Sequence, residues 1–157
     1  MTLGLMNGGR GTILLVDDDE NDQVLFEQSL LRAGCPIHLV ALQDGRKALE
    51  YLKAEGQFTD RNQFPLPKLV FLDSLLPAVS GGEVLKFIKN NPELRRIPVV
   101  ILTGGISPTD VGRMYDLGAN AVCLKPASVN DLHAFAASVC QFWMRGTISG
   151  LEDEHRQ

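Results

Sequence analysis

The stretch LVFLDSLLPAVSGGEVLKFIKNN (69–91) holds the fold in miniature. Its first five residues, LVFLD, are an unbroken apolar run closed by Asp73, the pattern of a strand covered on both faces of a parallel sheet. Ser80 then stands where a helix N-cap belongs, and Val84, Leu85 and Ile88 in GGEVLKFIKNN (81–91) recur at helical spacing. One buried strand, one loop and one helix make a unit that needs neighbours of the same kind to cover it.

Outward from that stretch the unit recurs. ILLVDD (13–18) ends in Asp17 and Asp18 and leads into DENDQVLFEQSLLRAGCP (19–36), acidic at its start and closed by Gly34 and Pro36. IHLVAL (37–42) is less uniformly apolar, which suits a sheet edge, and the Asp44-Gly45 turn opens the helical RKALEYLKAEG (46–56). A long loop with Pro65 and Pro67 precedes the Asp73 strand. IPVVILT (97–103) ends in Thr103, and Ser107-Pro108 starts a helix that stops at Gly118. AVCLK (121–125) ends in Lys125, and a last helix spans Ser128 to Met144. The order is (βα)5. Right-handed crossovers make it an α/β fold with a doubly wound five-stranded parallel sheet, flavodoxin-like, of strand order 2-1-3-4-5. Residues 1–10 read as a flexible leader, 11–145 as one domain and 146–157 as a polar tail.

Composition narrows the functional classes. The 157 residues are 45% hydrophobic and 22% charged, ordinary values for a soluble globular domain. A net charge of −4 without a lysine- or arginine-rich stripe argues against nucleic acid. No apolar stretch approaches the roughly 20 residues that span a bilayer, and the first residues lack the apolar core of a secretory signal. Cys35, Cys123 and Cys140 form no C-x-x-C pair and read as reduced core thiols, which points to the cytoplasm.

Ligands of open α/β sheets bind beyond the carboxyl ends of the strands, at the point where the strand order reverses. Four segments here deliver Asp17 and Asp18, Asp73, Thr103 and Lys125 to that one edge. Taken singly, an aspartate after a strand is more often a cap, and a lysine there is more often solvated. Taken together they are complementary. Three converging carboxylates repel one another until a proton or cation relieves them. Mg²⁺ suits them, because it takes oxygen ligands and commonly shares carboxylates with phosphate oxygens. A carboxylate can also attack phosphorus to give an aspartyl phosphate. Lys125 would then offset charge on the transferred group, and the Thr103 hydroxyl would donate to one of its oxygens.

These residues resemble the receiver domain of two-component response regulators, over about Thr12 to Met144. The likeness rests on LLVDDDE, LVFLDSLLPAVSGGE, ILTGG and CLKPAS, with Pro77, Gly81 and Glu83 at the expected places of the loop. The resemblance implies a phosphoacceptor at Asp73, a direct Mg²⁺ ligand at Asp18 and a holder of metal-bound water at Asp17. It further implies a metal ligand in the backbone carbonyl of Leu75, phosphoryl ligands in Thr103 and Lys125, and a cis Lys125–Pro126 bond. A narrower likeness is to the regulators without an output domain that partner bacterial phytochromes. It implies a sensor histidine kinase as partner and a homodimer through the fourth helix, fifth strand and fifth helix, with Phe142 and Trp143 near that face.

Three positions depart from the pattern. Val122 stands where the family usually has an aromatic switch residue, Leu75 where a polar residue is frequent, and Gly104 where alanine is commoner. The leading expectation is a stand-alone regulator, not an enzyme acting on other molecules, phosphorylated on Asp73 by a kinase phosphohistidine. The alternative is a phosphate-independent interaction module of the same fold, which Val122 favours. An aspartyl-nucleophile phosphohydrolase would need a general acid where Leu75 stands, and leucine transfers no proton.

Overall fold

The computed structural model describes residues 2–3, 11–146 and 150. Five parallel strands, β1 (Thr12–Val16), β2 (His38–Leu42), β3 (Leu69–Asp73), β4 (Val99–Thr103) and β5 (Ala121–Leu124), lie in the order β2-β1-β3-β4-β5. That is the 2-1-3-4-5 order expected. Register places Leu72 of β3 beside Val16 of β1, and Asp73 beside Leu102 of β4. The ends of β1, β3 and β4 are therefore level, and the residues that follow them meet. One strand is additional. Thr2–Leu3, inside the segment read as a flexible leader, pairs antiparallel with Leu39 and Val40 on the outer edge of β2, where backbone groups would otherwise lack sheet partners. Of the polar tail read over 146–157, only Gly146 and Gly150 lie among the described residues.

Helices α1 (Glu20–Arg32) and α5 (Val129–Val139) cover one face, and α2 (Gly45–Lys53), α3 (Gly81–Asn90) and α4 (Pro108–Asp116) the other. Strand residues alternate between the two cores. Leu14, Val16, Val70, Leu72, Val99 and Ile101 pack under α2 and α3, while Ile13, Leu15, Leu69, Phe71, Val100 and Leu102 pack under α1 and α5. A strand apolar at every position is what two covered faces demand.

Caps set the helix starts as expected. The Ser80 side chain accepts from Glu83 N–H while Glu83 answers the Ser80 N–H, a complete capping box at α3. Gly81 cannot be larger, because a Cβ there would collide with the backbone carbonyl of Asp73. The first turn of α3 thus packs directly on the end of β3.

Two readings are corrected. The last helix does not run uniformly to Met144: α-helical bonding gives way to a π-helical segment over Cys140–Gly146. Nor are all three cysteines reduced. Cys35 and Cys140 form a disulfide with Cα atoms 5.5 Å apart, and only Cys123 is free. After α1, Gly34 turns the chain at φ +65° and returns Cys35 to the α1–α5 seam, where Cys140 is buried beside it. The two are 105 residues apart in sequence, a separation at which spacing carries no pairing signal.

Candidate functional site

At the end of β1, three successive aspartates divide their work. The Asp17 N–H extends the ladder to the carbonyl of Leu42 at 3.0 Å, and its buried carboxylate accepts from the Asp19 N–H at 3.0 Å. Asp19 is the helix cap, accepting from the N–H groups of Asn21 and Asp22 at 2.8 and 3.2 Å. Gln23 Nε2 donates to the carbonyls of Asp17 and Leu42 at 2.7 and 3.0 Å, which fixes the start of α1 against two strand ends. With capping done by the third aspartate, Asp17 and the exposed Asp18 are left for the site.

Asp73 is buried at the end of β3. Its Oδ1 accepts from the Leu75 N–H at 3.0 Å, and its Oδ2 from Lys125 Nζ at 2.8 Å. One carboxylate oxygen from each of Asp17, Asp18 and Asp73 falls within 4.8 Å of the others, a set that could hold a metal ion. Three oxygen donors converging on one point are the donor chemistry a hard dication requires, so these side chains fit Mg²⁺ or Mn²⁺.

Lys125 arrives from β5, its N–H bonded to the Thr103 carbonyl at 2.8 Å. Its ammonium contacts Asp73 at 2.8 Å, Asp17 at 3.0 Å and Asp22 at 3.3 Å. Burial alone would lower the lysine pKa; hydrogen bonds to Asp73 and Asp17, with their coulombic pull, outweigh it and hold Lys125 above the ordinary lysine value. The Asp17 pKa rises as well, for the opposite reason. Burial raises its pKa, and the Asp19 N–H and a share of one ammonium do not restore it, with the Asp73 charge adding to the rise. One cation serves three carboxylates.

The structure brings together Asp17, Asp18, Asp73 and Lys125. Thr103 is buried one residue beyond Leu102, the β4 partner of Asp73, and its Oγ1 accepts from the Gly105 N–H at 3.1 Å. That hydroxyl is engaged with its own turn. Leu75, two residues on from Asp73 in the loop, is 73% exposed. The expected cis Lys125–Pro126 bond is corrected: no cis peptide occurs among the described residues. Trans is the ordinary preference of an X–Pro bond by about 0.5–1 kcal/mol, and Lys125 reaches three carboxylates without departing from it. Three residues were missed. Asp22 and Gln23 were read only as part of an acidic helix start. Tyr115 of α4, half exposed, accepts from the Val122 N–H at 3.1 Å, so an aromatic hydroxyl does reach the position where the aromatic switch is wanting.

Residues 13–137 match the family model of the response regulator receiver domain. The chain belongs to the response-regulator receiver family. The receiver is 36% identical over 132 residues to response regulator Rcp1 of Synechocystis sp., covering 84% of this chain and 88% of that one. The solved structure of the Mn²⁺-bound form of Rcp1 superposes with a TM-score of 0.79 at 34% identity, over 88% of this chain and 98% of the other. The phosphorylated cyanobacterial phytochrome response regulator RcpA superposes at 0.83 with 33% identity, over 90% and 99% of the two chains. The receiver is thus similar to response regulators, one of them a regulator of a cyanobacterial phytochrome.

Proposed function

We propose that this receiver is a stand-alone response regulator that takes a phosphoryl group from the phosphohistidine of a sensor kinase onto Asp73. The observation that carries the reading is the buried Asp73 carboxylate, held between the Leu75 N–H and the Lys125 ammonium within a trio of converging carboxylates. In the transfer an Asp73 oxygen forms a bond to phosphorus, the P–N bond to the kinase imidazole breaks, and the imidazole leaves with a proton. Lys125 follows the charge from the carboxylate to the new phosphoryl oxygens. The Thr103 hydroxyl leaves its contact with Gly105 to donate to one of them, and the strand–helix loop moves with it.

Asp17, Asp18, Asp73 and the Leu75 carbonyl would hold Mg²⁺, which when bound supplies charge neutralisation for the phosphoryl oxygens. The receiver acts chemically only on itself. The likeness to the phytochrome response regulator RcpA, matched over most of its length, supports a phytochrome as the kinase. It is a regulator of the cytoplasm, where kinase phosphohistidine is formed, although the Cys35–Cys140 disulfide is unusual for such a compartment. No helix among the described residues is long and apolar enough to cross a membrane.

Exposed Tyr115, Leu124 and Phe142 on α4, β5 and the π-helical segment support a homodimer through that face, changed by phosphorylation. Val122 favours the second reading, a module that binds its partner without phosphate. Incubation with Mg²⁺ and a small acyl phosphate, followed by intact mass, tests the first. One phosphoryl adduct is expected on the wild type and none on Asp73→Asn or in chelator. An equal adduct on Asp73→Asn, or no adduct on the wild type, would defeat it. Asp73→Asn retaining all modulation of partner binding would favour the second reading.

A further inference from the structure

One carboxylate at the site comes neither from a strand end nor from the trio that fits a metal. Asp22 lies in the first turn of α1, and its Oδ2 is 3.3 Å from Lys125 Nζ. Its side chain is 45% exposed, so burial does not force the contact. Placement does. The Asp19 cap holds the Asp22 N–H and Gln23 clamps the next residue to the strand ends, which leaves Asp22 facing the ammonium.

An ammonium has three N–H donors. Asp73, Asp17 and Asp22 occupy them at 2.8, 3.0 and 3.3 Å. When Asp73 becomes an acyl phosphate its oxygen loses its charge, and the phosphoryl oxygens become the better acceptors. The donor now on Asp73 passes to them; those on Asp17 and Asp22 hold the ammonium back. Lys125 and Asp22 also line a cavity of about 130 Å³ with Leu15, Phe26, Leu102 and Leu132, which gives the lysine stem space to swing between α1 and the strand ends.

We propose that Asp22 is a positioning residue for phosphoryl transfer, which tethers the Lys125 ammonium towards α1 and competes with the phosphoryl oxygens for it. The inference rests on Asp73 being the phosphoacceptor. It makes the residue at 22 a setting for how readily the switch is charged, separate from the residues that make charging possible.

The test is a double-mutant cycle on phosphorylation by a small acyl phosphate with Mg²⁺. Asp22→Asn is expected to speed phosphorylation about two- to fivefold, the range open to an ion pair this exposed, and Asp22→Glu to keep the slow rate. In a Lys125→Met background the gain from Asp22→Asn should vanish. A second readout needs no phosphate: without metal, the Lys125 side-chain N–H signals in NMR should exchange with water faster in Asp22→Asn, while Mg²⁺ affinity stays within about twofold of wild type. An unchanged phosphorylation rate in Asp22→Asn, or the same gain with and without Lys125, overturns the inference and leaves the phosphoacceptor reading standing. No adduct on the wild type overturns both.

Discussion

Helices α2 and α4 flank α3 in one layer, and they are fastened by opposite means. α2 buries Gly45, Ala48, Tyr51 and Leu52, whereas no residue of α4 is buried. The Tyr51 ring is fully enclosed, with the Phe58 and Phe64 centroids 5.2 and 6.1 Å away, and its hydroxyl donates to the Pro65 carbonyl. Arg61 completes the fastening: Nη1 donates to the carbonyls of Tyr51 and Phe64 at 2.9 and 3.2 Å, and Nη2 to that of Leu52 at 2.8 Å. The long 56–67 loop is therefore bolted to the carboxyl end of α2. α4 hangs from Thr103 by Gly104 and Gly105, rests partly buried Met114 and Leu117 on the core, and touches β5 through the Tyr115 hydroxyl. The element that the proposed switch would move has few buried contacts, and its counterpart across α3 has many. Such a division is what low local stability in a moving element requires.

The largest break of this contrast comes from Arg61→Ala. Three carbonyls lose a charged donor beneath partly buried chain, at a cost of about 3 kcal/mol. In a domain of this size each kcal/mol is worth roughly 2–4 °C in melting temperature, so thermal unfolding should shift by roughly 6–12 °C. A loss below about 1 kcal/mol would mean that the loop is held by its aromatics alone. Tyr51→Phe keeps the ring cluster and removes only the bond to Pro65. It should cost about 1 kcal/mol in a denaturant titration, with phosphorylation of Asp73 unchanged because the change lies in the fastened half.

How much of this was legible in the sequence differs between the same two regions. Four strands were read as unbroken apolar runs because both faces are covered, the second as a less apolar edge strand, and the polar residues closing those four marked the candidate site before any geometry. Asp17, Asp18, Asp73 and Lys125 converge as expected. Contacts made by one side chain across long separations were not legible. Nothing in RNQFPLP (61–67) says that the Arg61 guanidinium turns back to two carbonyls of α2 and one of its own loop. Asp22 looked like a favourable charge at a helix start, and its spacing from the Asp19 cap was the signal passed over. Cys35 and Cys140 are joined by the α1–α5 seam, which exists only once the sheet is wound.

On the α4 side the expected effects are smaller and are better read by exchange and thiol chemistry than by melting. Tyr115→Phe removes the acceptor of the Val122 N–H on an edge strand open to water. The cost should stay under about 0.5 kcal/mol, while hydrogen exchange at the Val122 amide rises. Unchanged exchange would mean that Tyr115 does not hold β5.

Cys123, the free thiol on the same strand, gives the pH dependence. Burial pushes its pKa above the ordinary thiol value, so the folded chain holds that proton more tightly than the unfolded chain. Its contribution to stability is complete below the unfolded pKa and is lost as pH rises through the higher folded one. The difference in denaturant midpoint between wild type and Cys123→Ala should therefore shrink as pH climbs from about 8 to about 10, across the free thiol value near 8.5. Alkylation of Cys123 should be slow at pH 8 in the wild type and faster in Tyr115→Phe, because freeing β5 from α4 opens the strand. Equal alkylation in the two would leave α4 as firmly held as α2, and the contrast between the two helices would fail.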